Sequence, residues 1–290
     1  ALPLSLASAQ GNAPFVVAET GQGFARLAEA VNAIGDGSGT IEIAPGRYAD
    51  CAVQSAGEIR YVATQPGQAV FDGGACEGKG VLVLRGRAAS VEGLVFANVR
   101  VPDFNGSGIR LEKGNLAVSQ SWFRDSQQGI LAGADTASAI TIDKSTFTRL
   151  GTCEGPGGCA HSIYIGDYGA LSVTRSRFEQ GRGGHYVKSR SARVEIVGNS
   201  FDDSGGRGTN YMIDLPGGAS GRIANNWFVR RAGDRWKRCP LCAGREPHQH
   251  LRRQMDRRSG ADRHQSPGAG AEGGGPALAE RRCVAQRANW

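Results

Sequence analysis

The chain has no apolar run approaching the roughly 18 residues that a membrane-spanning helix requires, which excludes a helical membrane anchor within it. It also lacks helix-length periodicity between its β-branched segments, which excludes alternating βαβ units. Charge of either sign is in no excess over most of its length. Up to Val229 there are 20 Lys and Arg against 21 Asp and Glu, so this part gives no support to nucleic-acid binding. The sequence pI of about 9.2 comes from residues 230–290, where 14 Lys and Arg face 6 Asp and Glu. That stretch has no Ile or Phe, three Leu and one Val, too little apolar area to order a segment. Its Cys239–Cys242 pair has the spacing of half a zinc knuckle, and the second half is missing.

What the chain does contain is one pattern, written repeatedly. His161–Phe178, His185–Phe201 and Tyr211–Phe228 each open on a ring residue followed two positions later by an aliphatic: Ile163, Val187, Ile213. Each closes with an aliphatic five residues before a Phe, as in Val173 and Phe178. The spacing extends back through Ile142 and Phe147, Val118 and Phe123, and Val91 and Phe96, recurring about every 25 residues. The segments are short, alternating and punctuated by Gly, Asn, Asp and Ser, as strands and turns are. Together these features predict an all-β fold, a right-handed parallel β-helix whose Phe and aliphatic residues stack along the inside.

Three regions are expected: residues 1–19 as an N-terminal arm left from a signal peptide, 20–229 as the β-helix, and 230–290 as a tail. The tail is read as disordered or out of frame, because the repeat stops abruptly after a well-formed Asn225–Phe228. Gly23–Ile34 is amphipathic, with Phe24, Leu27, Ala28, Val31 and Ile34 on one face, and is expected to cap the first coil. Ser121, Ser145, Ser176, Asn199 and Asn226, each two positions before a Phe, predict a structural polar ladder at a turn. Cys51 with Cys76, and Cys153 with Cys159, are close enough to bridge, and both pairs could equally be free thiols. The Cys153–Cys159 loop belongs to the longest coil and lies just before His161, where an insertion can wall a groove.

Strand alternation locates the chemistry. If Ile163, Val187 and Ile213 face inward, Tyr164, Lys188 and Asp214 face outward on successive rungs, about 4.8 Å apart. Arg190 shares their phase, and Arg110, Leu131 and Glu112 continue the row. His161, His185 and Tyr211 would form a second row at the corner.

A parallel β-helix with repeats of this size resembles the pectate-lyase-like superfamily, and Val187–Phe201 is similar to the Lys-Ser strand of chondroitinase-B-like and alginate lyases. The resemblance implies that Lys188 is the base removing the uronate C5 proton. The sequence departs from that family in two places. Asp214 and Pro216 stand where an assisting Arg is expected, and Gly183 and Gly184 where a calcium-binding acid is expected. No cofactor is therefore expected, calcium being the one the resemblance would bring.

Elimination needs a base, a cation for the uronate carboxylate and an acid for the leaving oxygen. Lys188 or His185 is assigned as base, Arg190 as the cation and Tyr164 as the acid; His161, Tyr211, Asp214 and Tyr186 are assigned to sugar binding. The expectation is a periplasmic or secreted monomer, a polysaccharide lyase acting on acidic polysaccharide, with no nucleic-acid or membrane partner. The alternatives are a uronate epimerase, a non-catalytic glycan-binding module or adhesin, and a glycoside hydrolase using Asp214 with Asp167 or Glu112. Hydrolysis requires two carboxylates about 5 to 9.5 Å apart.

Overall fold

A computed structural model describes residues 13–230, together with the backbone of three short strands, Leu241–Ala243, Cys283–Val284 and Ala288–Asn289. The proposed leader remnant up to residue 12, Cys239 with the side chain of Cys242, and the out-of-frame reading of the tail lie outside what is described. Short strands wind through three sheets of 11, 9 and 8 strands, parallel except for antiparallel strands at some of their ends, making a β-solenoid in which the strands of each coil pair with their equivalents one coil away.

The repeat grammar translates directly into register. The closing Phe residues pair rung to rung, Phe71 with Phe96, then Phe123, Phe147, Phe178, Phe201 and Phe228. Their rings stack inside, with centroids 4.7–5.8 Å apart and planes within 17° of parallel. Burying each ring stabilises the solenoid by roughly 1.5–3 kcal/mol. Val91, Val118, Ile142, Val173, Ile196 and Ile223 form the matching column of the second sheet. Ile109, Ile130, Ile163, Val187 and Ile213 form that of the third.

The polar ladder is formed as expected. Each backbone N–H of Leu94, Ser121, Ser145, Ser176 and Asn199 donates to the side-chain oxygen of the ladder residue one coil on, at 2.9–3.3 Å. The residue just before each ladder position has positive φ: Gly93 71°, Gln120 49°, Lys144 46°, Arg175 48°, Gly198 71° and Asn225 54°. The tight turn demands that left-handed backbone, and the ladder holds non-glycine residues in it despite their steric cost.

The fold begins earlier than expected. Phe15 and Val17 are core residues on strand Phe15–Val17, which runs antiparallel to Ser38–Ile43, so the arm does not extend to residue 19. The helix is shorter than the amphipathic pattern, spanning Leu27–Ile34, because Gln22–Phe24 is drawn into an antiparallel pair with Phe15–Val17. Its Leu27, Ala30 and Val31 are buried, and it packs beside Ala52–Gln54, the first strand of the third sheet, covering that open edge. The Asp50 carboxylate accepts the Leu27 N–H at 2.9 Å, placing negative charge at the helix N-terminus. Both disulfides form, Cys51–Cys76 and Cys153–Cys159.

Candidate functional site

The third sheet carries the outward row. Arg110, Leu131, Tyr164, Lys188 and Asp214 are consecutive partners in register, so Tyr164, Lys188 and Asp214 stand side by side on one wall. Ser189 turns in, and its Oγ accepts the Ser191 N–H at 3.1 Å. Arg190, two positions beyond Lys188, is exposed and points its Nε at the Tyr164 hydroxyl at 3.4 Å. The Lys188 Nζ lies 5.6 Å from the Tyr164 ring centre and 3.6 Å from Asp214 Oδ2. An amino group held between an aromatic face and a carboxylate has a fixed position rather than a swinging one.

The corner row is also built. His161, His185 and Tyr211 stack with centroids 4.8 and 5.5 Å apart. His161 Nδ1 accepts the His185 N–H and His185 Nδ1 accepts the Tyr211 N–H, each at 3.0 Å. Those bonds set the tautomer: a neutral ring then carries its proton on Nε2. Burial, with His185 and Lys188 adding to it, holds the His161 imidazole down at about 2, so it is a neutral N–H donor. His185 Nε2 lies 3.3 Å from Asp214 Oδ2. With Nδ1 accepting and Nε2 facing a carboxylate, His185 offers no lone pair to a substrate, and the alternative of His185 as base is set aside.

Two loops roof this wall. Asp103, Phe104 and Asn105 come from the connection into strand Ser107–Leu111, and Gly155, Gly157, Gly158 and Cys159 from the disulfide loop. Phe104 lies against Gly155, where an added Cβ would stand 3.0 Å from the Phe104 Cβ. Beneath them is a cavity of about 420 Å³, also lined by His161, Tyr164, His185 and Lys188. The Cys153–Cys159 insertion thus walls the site as its position suggested. The Asp103–Asn105 contribution, with Gln128 and Asn210, was not anticipated. Its one signal was the longer link between strands Leu94–Ala97 and Ser107–Leu111, compared with that from Trp122–Arg124 to Gln128–Ala132.

Two residues expected to meet sugar do not. Tyr186 is fully buried, packed between Phe178 and Phe201 at 6.0 and 6.2 Å, with its hydroxyl donating to Asp203 Oδ1 at 2.7 Å. It precedes strand Val187–Ser189 at a corner where alternation has not begun, so it turns inward with Val187. Asp214 has the expected rung, but only 5% of it is exposed, and its carboxylate is shared by His185 and Lys188. It positions the other two. Tyr211, half-buried, serves the site through its stacking on His185.

The calcium that the resemblance would bring does not fit these residues. Gly184 has φ 66°, and a Cβ there would stand 2.1 Å from the Ala160 carbonyl oxygen, so no acidic side chain could replace it in this backbone. Among the described residues, no three His, Cys, Asp or Glu side chains gather as metal ligands. Glu112 is engaged by Lys79 at 2.7 Å and Arg85 at 2.5 Å, and Asp214 by the site itself. No family model, curated protein or solved structure matches the chain.

Proposed function

We propose that this β-solenoid is a polysaccharide lyase that cleaves a uronate-containing glycan by β-elimination. The observation that carries the reading is the Tyr164–Lys188–Arg190 cluster under a loop-roofed cavity, with His161 as a neutral donor beside it. Arg190 pairs with the uronate carboxylate and so favours charge developing at C5. The Lys188 that reacts is the uncharged amine: its Nζ lone pair takes the C5 proton, the freed pair forms the C4–C5 double bond, and the C4–O bond breaks. The leaving oxygen receives the Tyr164 hydroxyl proton, and exchange with solvent restores both groups. The His161 N–H orients the sugar and takes no part in proton transfer. Two disulfides suit an oxidising compartment, which supports placing the protein in the periplasm or outside the cell.

The test is a panel of alginate, pectate, chondroitin and heparin-type polymers, followed by ultraviolet absorbance of unsaturated uronate. One polymer should give the signal, and Lys188→Ala should lower its rate on the order of 10²–10⁴-fold. Reducing ends without absorbance would replace the reading with hydrolysis. Binding without turnover would replace it with a glycan-binding module.

A further inference from the structure

Arg110 is on the outward row but outside the cluster just described. It is three rungs from Lys188, with Leu131 and Tyr164 between them, or roughly 14 Å by strand spacing. Its side chain is half-buried, its Nε is buried with no hydrogen-bond partner, and no ion pair holds it among the described residues. Its neighbours do not compensate it. Leu131, on the next rung, has no polar group, and both carboxylate oxygens of Glu112, two residues on, are occupied by Lys79 and Arg85. A buried guanidinium Nε–H left unanswered is costly unless an acceptor arrives.

The cavity extends toward this rung, although Arg110 is not among the residues that line it. Asn105 enters the coil of Arg110, Gln128 the next, and Asn210 the coil of Asp214, so the lining runs along the solenoid axis. Gln128 Oε1 is a second buried polar atom without a partner on the same path. An extended 1,4-linked uronate chain advances by about one rung spacing per sugar. Rung and sugar therefore remain in step, and the sugar three places from the one over Lys188 falls at Arg110.

We infer that Arg110 is a distal subsite that binds the carboxylate of a second uronate, making the protein a reader of chains of about four sugars or more. The inference rests on the uronate specificity proposed above, but not on the elimination step. Arginine matches a carboxylate through two parallel N–H donors, and such a charge-assisted pair is expected to change affinity by about 10- to 100-fold.

The test uses the full chain carrying Lys188→Ala, so that cleavage cannot intervene. Oligogalacturonates and oligomannuronates of two to six residues are titrated by calorimetry, with and without Arg110→Ala. A stepwise gain in affinity should appear at about four residues in one series. Arg110→Ala should remove that step and leave the shortest oligomers unchanged, and Arg110→Lys should restore part of it. An equal loss at every length, no loss at any length, or no binding of either series would overturn the inference. Absence of lyase activity together with an Arg110-dependent step would sink the elimination chemistry while upholding the subsite.

Discussion

His161 should make the protein's stability fall with acidity, by an amount that can be stated. The ordinary imidazole titrates near 6.5, and here burial first, then His185 and Lys188, hold it at about 2. The unfolded chain therefore takes a proton below pH 6.5 that the folded chain refuses. Folding gains nothing from this group above that pH, and loses stability steadily below it. Between pH 6.5 and 5.0 the loss is roughly 2 kcal/mol, at about 1.4 kcal/mol per pH unit. His161→Asn is the matched control, because its side-chain oxygen can still accept the His185 N–H while never gaining a proton. Urea denaturation of both chains at pH 7.5, 6.5, 5.5 and 5.0 separates this residue from the carboxylates, which are common to the two. The difference between the chains should be constant above pH 7 and move by about 2 kcal/mol in favour of the variant by pH 5. Parallel curves throughout would refute the buried neutral imidazole, as would a nitrogen-15 spectrum showing His161 protonated on both nitrogens at pH 5.

Asn199→Ala removes the acceptor of the Ser176 N–H and donors to the Val173 carbonyl and Asn226, all buried, and should cost about 2–3 kcal/mol in urea melts. Asn199→Ser, which places on this rung the residue that Ser176 supplies one coil earlier, should recover part of that. Replacing Cys153 and Cys159 with Ser opens a six-residue link and should cost roughly 2 kcal/mol. The decisive sign there is new proteolysis within residues 154–158 and weakened glycan binding, with the circular dichroism of the solenoid unchanged.

The sequence was most legible where one physical constraint recurs on every coil. A Phe five residues after an aliphatic can be satisfied on all rungs only by stacking, and Phe123 and Phe147 do so with planes 2° apart. The ladder was legible for the same reason, since a small polar residue at a fixed turn position has one set of backbone N–H groups to serve. Legibility ended where the repeat did. At the corner before each strand, Tyr186 could not be phased, because alternation is a property of strands. The shared carboxylate of Asp214 depends on the reach of two side chains from neighbouring positions, which spacing along the chain does not encode. The Asp103–Asn105 wall arises two coils before the strand carrying Tyr164, and only the third dimension brings it beside the Cys153–Cys159 loop.

The reversed strand Phe15–Val17 has a consequence for how copies of this molecule meet. A stack of identical coils is a template, and any exposed rung invites another chain to continue it in the same direction. Here the outermost two members of that sheet, Phe15–Val17 and Gln22–Phe24, have antiparallel partners. The adjoining face is closed by a helix, which has no ladder to share. A newcomer presenting a parallel rung to this sheet would find the grain turned against it.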